Sequence, residues 1–160
     1  MYKLLLFILL TVVCMTMYAL QADEEISMHT LFQGKHALNN AVHAAAQQSD
    51  LNKLSKGIPS IDQSLAQQTA LQYLQANLRL NEQNEPLPDT FLRSQVEIVL
   101  FKVINDQYFF PYTYINADYN YSVTFRKPGV IMFIKLQYPR VYSVLQPITW
   151  TIKASAEMVY

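Results

Sequence analysis

The three histidines of the chain, His29, His36 and His43, lie seven residues apart each time. Imidazole side chains bind metal ions and transfer protons near neutral pH, so their placement decides which chemistry is open to them. In a helix this spacing separates successive histidines by about 10.5 Å along the axis. Zinc–nitrogen bonds are about 2 Å long, so histidines at this spacing on one helix do not share an ion. We therefore expect a polar outer face, with a pH-sensitive contact to a neighbouring subunit as the alternative.

Other reactive groups are few. The single cysteine, Cys14, lies in an uncharged apolar segment, which excludes an intramolecular disulfide and makes a nucleophilic role improbable. Asp106 and Asp118 flank an aromatic segment and are candidates for an acid–base pair, although two solvated loop carboxylates are the simpler interpretation. Three glycines leave no phosphate-binding loop, and 12 acidic and 12 basic residues give no basic surface for nucleic acid. The sequence predicts a protein that is not an enzyme and binds no cofactor, metal ion or nucleic acid.

The N-terminal segment is the clearest feature of the sequence. Residues 4–20, LLLFILLTVVCMTMYAL, carry no charge, and acidic residues 23–25 follow closely. Seventeen apolar residues are at the short end of what spans a bilayer. We predict that residues 1–22 form a transmembrane anchor, with Lys3 before the segment favouring a domain outside the cytoplasm. The predicted location is therefore the cell membrane, with a single pass.

A cleaved signal peptide is the alternative to an anchor. Ala22 or Ala19 would precede the cut, but Leu20 and Met17 stand two positions earlier, where a small residue is preferred. A lipid anchor on Cys14 is less favoured, because the bulky Val13 precedes it.

Residues 23–57 are predicted to form a helical stem that ends at Gly57-Ile58-Pro59, since glycine suits a left-handed cap and proline stops a helix. Asp50 is predicted to start a separate short turn within it. One side of the stem, the small-residue face, suits close helix approach. We expect it to contact another membrane protein, a pilus-assembly protein or a second copy; packing on the protein's own sheet is the alternative. The small-residue face comprises Leu31, Gly34, Leu38, Ala41 and Ala45.

Residues 58–160 are predicted to form an α+β domain outside the cytoplasm. Ser60, with Gln63 three residues on, predicts the start of a second helix. Four strands follow: an interior strand over 95–105, a hairpin of 119–126 with 130–138 around Lys127-Pro128-Gly129, and a half-buried strand over 148–158. The predicted fold is an N-terminal anchor and stem helix and a second helix packed on a four-stranded antiparallel sheet.

An aromatic segment connects two of these strands. Tyrosine suits surfaces that are half wet and half packed, which is why it is enriched at interfaces. These rings either complete a small core or contact a partner or ligand. The aromatic segment comprises Tyr108, Phe109, Phe110, Tyr112 and Tyr114.

An apolar anchor of residues 4–20, the helix around HALNNAVHAAAQQSD at 36–50 and the late strands form an order that resembles bacterial pilin-like proteins. These include minor pilins and the TadE-like proteins of the tight-adherence system. The resemblance is one of architecture and does not include the prepilin cleavage motif: no glycine precedes Gly34 and no acidic residue precedes Asp23. It implies a non-enzymatic, single-pass envelope protein acting in assembly of a pilus-like or secretion apparatus. The alternative is an anchored or secreted binding domain whose aromatic segment holds a glycan or peptide.

Overall fold

A computed structural model describes residues 2–88, 90–138, 140 and 146–159 of the chain. It has the predicted α+β fold, with three helices followed by five antiparallel strands in two sheets, where four strands in one sheet were predicted. The elements in chain order are α1 (Tyr2–Ala46), α2 (Leu51–Leu54), α3 (Gln63–Leu78), β1 (Glu97–Ile104), β2 (Tyr112–Asn116), β3 (Tyr121–Phe125), β4 (Gly129–Tyr138) and β5 (Ile148–Glu157).

Helix α1 runs without interruption for 45 residues, which is about 67 Å at 1.5 Å per residue. Its first part contains no buried residue, and burial begins at Asp23. Beyond this point α1 packs against α3 and against β4 and β5. Residues 23–46 therefore share one hydrophobic core with the domain over 58–160 and are not a stem separate from it.

The short helices begin at acidic caps. Asp50 caps α2, as predicted, by accepting hydrogen bonds from the backbone of Asn52 and Lys53. The predicted cap of α3 at Ser60 is wrong, because Asp62 occupies the cap and accepts from the N–H of Leu65. Aspartate caps a helix as well as serine does, so Asp62, which directly precedes the first helical residue, takes the position. Gly57 adopts a left-handed conformation with φ +75°, as the stop signal implied.

The main sheet has the strand order β1-β4-β5, with both pairs antiparallel. The prediction that residues 95–105 form an interior strand is wrong, because β1 pairs only with β4 among the described strands. Its apolar residues are continuous for another reason: Phe101 and Val103 join the core on the helix side, whereas Leu100 and Ile104 join the core on the opposite side. Burial of both faces produces the same pattern as a central position does.

The predicted hairpin of 119–126 with 130–138 is also wrong. Strand β3 pairs with β2 in a separate two-stranded sheet, and the chain then passes to β4 in the main sheet. Gly129 serves close packing at this crossing, since a Cβ atom there would lie 2.4 Å from the Phe125 ring and 2.7 Å from the carbonyl oxygen of Ala156. Glycine is needed here because it has no side chain. Gly129 does not have the positive φ angle that a tight turn would need.

The domain therefore has three layers: the helices, the main sheet and the β2–β3 hairpin. Alternate residues of β4 enter the two cores, so Met132 and Ile134 face α1 and α3, whereas Ile131 and Phe133 face the hairpin. Tyr119 and Tyr121 pack edge-on against Phe133 in the second core. This arrangement explains why β4 is apolar along most of its length.

Candidate functional site

The N-terminal part of α1 is a candidate membrane-spanning segment. Its apolar window has a mean hydropathy of 2.2, and none of that window is buried within the protein. The two threonines in the segment bond to their own helix, with Thr11 Oγ1 2.8 Å from the Phe7 carbonyl oxygen and Thr16 Oγ1 2.8 Å from that of Val13. Their hydroxyls therefore need no water. This helix is compatible with a single-pass membrane protein; a signal sequence passes the same test of length and composition.

No loop separates this segment from the folded domain. Asp23, Ser27 and Thr30 are buried on successive turns of the same helix. The indole Nε1 of Trp150 donates to Ser27 Oγ at 3.1 Å, which ties the start of β5 to α1. Burial, and after it the charge of Asp23, raises the pKa of the Tyr138 hydroxyl. The end of the sheet formed by Tyr138 and Trp150 therefore lies nearest the apolar segment.

The small-residue face lies inside the domain. Leu31 is partly buried, and Gly34, Leu38, Ala41 and Ala45 are buried in the helix-side core. At Gly34 an added Cβ atom would lie 2.3 Å from Leu136 Cδ1 and 2.7 Å from Ile152 Cδ1. The face therefore contacts the protein's own sheet, which is the alternative considered for it, and its four buried residues are not accessible to a second protein while this fold is intact.

The three histidines are exposed, as a polar outer face requires. The His29 ring lies edge-on to Phe91, with 6.2 Å between ring centroids. His36 lines a groove of about 580 Å³ between α1 and α3, together with Asn77 and Arg79. In the part of the chain that the structure describes, no group of three or more His, Cys, Asp or Glu side chains is placed to hold a metal ion.

The aromatic segment divides into a packed part and an exposed part. Tyr108, Phe110 and Tyr112 pack against the second core, and Tyr114 is buried within it. The Lys102 ammonium lies 4.8 Å from the centroid of the Tyr114 ring. In contrast, the Phe109 side chain is 98% exposed. Four of the five rings therefore complete a core, and Phe109 alone is presented to solvent.

Phe109 lies at the end of the domain opposite the apolar segment, as do α2 and Ile58, and we group the exposed apolar side chains at this end as the distal surface. Sequence reasoning missed its other members, although they flank the Gly57-Ile58-Pro59 stop signal. α2 is held to the connection after β1 by Lys53 Nζ, 2.8 Å from Asp106 Oδ1. The distal surface comprises the exposed side chains of Leu51, Leu54, Ile58 and Phe109.

Asp106 is occupied by this contact. It accepts two hydrogen bonds from Lys53 and one, at 3.3 Å, from Ser60 Oγ. The Lys53 hydrogen bond is the main cause that lowers the pKa of the Asp106 carboxyl, against a smaller opposing effect of burial. Asp106 thus joins α2 to β1, and this contact explains its position without an acid–base role.

Comparison of the chain with protein-family models, with curated proteins and with solved structures gives no significant match.

Proposed function

We propose that the chain is a single-pass membrane protein that holds its α+β domain outside the cytoplasm and acts, without catalysis, in assembly of a pilus-like or secretion apparatus. The observation that carries the proposal is the continuity of α1. The same helix presents an exposed apolar segment and, from Asp23 onward, forms the centre of the domain core. Such a domain has a fixed orientation relative to the axis of its anchor helix, because bending a helix requires breaking its hydrogen bonds.

A fixed orientation suits assembly better than capture of diffusing ligands. A partner that docks on a rigidly mounted domain is itself positioned relative to the bilayer, at a lower entropic cost than on a flexible tether. The pilin-like resemblance is supported by the same arrangement, in which a long helix projects at one end and packs on an antiparallel sheet at the other. The missing cleavage motif favours an anchored accessory protein over a processed filament subunit.

The distal surface is the proposed contact for the partner. Isolated exposed apolar residues are normal, but an apolar group gathered at one end of a domain is typical of interaction sites. Leu51 is 76% exposed and Phe109 is 98% exposed, so both are available without rearrangement. The exposure of Phe109 also supports the second candidate function, an anchored domain that binds a glycan or peptide.

Photo-crosslinking in whole cells tests the proposal. A photoreactive amino acid replaces Phe109 or Leu51 in the full chain, and a third variant carries it at Tyr73, which is exposed on α3. We expect carbonate-resistant membrane fractionation of all three, and a discrete crosslinked membrane or envelope protein for the first two only. A crosslinked glycan or soluble peptide would support the second candidate. Release of the chain from membranes, or identical products at all three positions, would contradict assembly.

A further inference from the structure

A second surface, the membrane-proximal groove, lies where α1 leaves the apolar segment. It has a volume of about 330 Å³ and lies between α1 and the start of β5. Glu24 and Ser27 are about 3 Å and about 7.5 Å beyond Ala22, the end of the predicted anchor, along the helix axis. The headgroup layer extends about 5–8 Å beyond the hydrocarbon on each side of a bilayer. The groove therefore opens at headgroup level once the apolar segment is in the membrane. Its lining residues are Glu24, Ser27, Met28, Arg140, Ile148 and Trp150.

Arg140 lines this groove and brings a guanidinium to it. Its Nε atom is buried and has no hydrogen-bond partner among the described residues. A buried donor without an acceptor is costly, and a guanidinium pairs most strongly with a planar or tetrahedral oxyanion. The guanidinium of Arg140 in the groove wall is therefore suited to pair with a phosphate group.

Glu24 places the opposite charge in the same groove. A carboxylate would repel a ligand that carried only a phosphate, whereas it would attract the cationic end of a zwitterion. A primary ammonium offers three hydrogen-bond donors to a carboxylate. A quaternary ammonium offers none and is usually held by several aromatic rings; among the residues that the structure describes, Trp150 is the one ring that lines this groove.

The rest of the groove wall is apolar, and its tryptophan ring is held in place by a hydrogen bond. Met28 and Ile148 line the groove beside the ring of Trp150, whose orientation is fixed by the hydrogen bond to Ser27. Tryptophan and long apolar side chains at headgroup level are typical of membrane interfaces. This wall suits the glycerol and upper acyl region of a lipid.

We propose that the membrane-proximal groove binds the headgroup of a phosphoethanolamine lipid, with the phosphate on Arg140 and the ammonium on Glu24. The inference rests on the proposed membrane anchoring and adds a lipid ligand to it. A bound lipid would fix the rotation of α1 about its own axis, so that the distal surface faces a defined direction.

Trp150, the only tryptophan in the chain, is a direct reporter of this site. The full chain in detergent micelles is titrated with dihexanoyl phosphatidylethanolamine, and in parallel with the phosphatidylcholine and phosphatidylglycerol of the same chain length. We expect a saturable change in tryptophan emission at the lowest concentration for phosphatidylethanolamine. Arg140→Gln should weaken the response to all three lipids by about tenfold, the loss expected for one charge-assisted hydrogen bond.

Glu24→Gln should remove the preference for phosphatidylethanolamine over phosphatidylglycerol, because the paired ammonium loses its carboxylate. Arg126→Gln, at the opposite end of the domain, is the matched control and should leave every titration unchanged; thermal unfolding verifies that each variant is folded. Equal titrations for the three lipids, or unchanged titrations in folded Arg140→Gln, would overturn the proposal. Membrane fractionation of the same variants separates this failure from failure of the anchor, since a chain that stays in membranes but shows no lipid preference contradicts the groove alone.

Discussion

At the scale of single residues, Asn105 joins two parts of the chain that are 44 positions apart. Its side chain accepts a hydrogen bond from the Ile61 N–H and donates one to the Ile61 carbonyl, both at 2.8 Å. The amide therefore makes the two hydrogen bonds that a backbone partner would make between paired strands. It holds the segment before α3 to the end of β1. The sequence placed Asn105 at the end of a strand, but it contained no signal for a partner so distant.

Asn105→Ala should lower the free energy of unfolding by about 2–3 kcal/mol, because it leaves both backbone groups of the buried Ile61 unsatisfied. The measurement is urea unfolding of the full chain in detergent micelles. Asn40→Ala is the control: its exposed side chain makes one long bond of 3.5 Å to Asn77, and its loss should change the stability by less than about 0.5 kcal/mol. Equal effects of the two substitutions would contradict the role of Asn105.

The Lys53–Asp106 contact predicts a pH dependence whose sign is fixed. The pKa of Asp106 is below its ordinary value of 3.8 in the folded state, so the contact stabilises the fold above that pH. This stabilisation decreases as the pH falls below 3.8, and it is gone once the pH is below the lowered pKa of Asp106. Melting temperatures of wild type and Asp106→Asn should therefore differ slightly at pH 6, since exposed ion pairs contribute at most about 1 kcal/mol, and converge in strong acid. A difference that grows towards low pH would show the opposite shift.

At the scale of helices and strands, the sequence predicted what local patterns determine. The Asp50 cap, the left-handed Gly57 and the alternating burial of β5 follow from neighbouring residues, and the structure has all three. Strand pairing is not local. Both faces of β4 and β1 are covered, so their apolar runs did not show which strand was central, and the turn before β4 joins two sheets where a hairpin was expected.

The sequence likewise predicted the features of the candidate site that depend on local composition and missed those that combine distant residues. The apolar segment was evident because it depends on composition alone. The small-residue face was identified as a packing surface, but periodicity does not say whether the opposing surface belongs to the same chain. The distal surface and the membrane-proximal groove were missed because each combines residues from distant parts of the chain.

Gly34 tests how closely α1 approaches the sheet. Gly34→Leu should destabilise the domain by about 1–3 kcal/mol or more, because even a Cβ atom there requires the buried Leu136 and Ile152 to move. Lys35→Leu, one residue along on the exposed side of α1, is the matched control and should have a small effect. Both are compared by thermal unfolding of the full chain. A folded Gly34→Leu variant of wild-type stability would show that α1 does not lie against these strands.

At the scale of the whole molecule, the protein is one long helix with a domain built around its C-terminal half. The exposed apolar segment and the buried face from Asp23 to Ala45 belong to a single uninterrupted helix. Two surfaces lie at the ends of the domain: the membrane-proximal groove beside the apolar segment and the distal surface at the opposite end. A hinge in α1 between the apolar segment and the domain would leave neither surface at a defined distance or angle from the apolar segment.

A distance measured across the junction between the apolar segment and the domain tests whether α1 is continuous in a membrane. In a Cys14→Ser background, spin labels at Leu10 and Lys35, both exposed, are 25 residues apart on nearly the same side of α1, which corresponds to about 37 Å in a straight helix. Pulsed electron resonance on the full chain in lipid nanodiscs should give one narrow distribution near this distance, with the Leu10 label accessible to oxygen and shielded from a water-soluble nickel chelate. A broad or much shorter distribution, or a Leu10 label exposed to the chelate, would contradict a continuous helix that anchors the domain in the membrane.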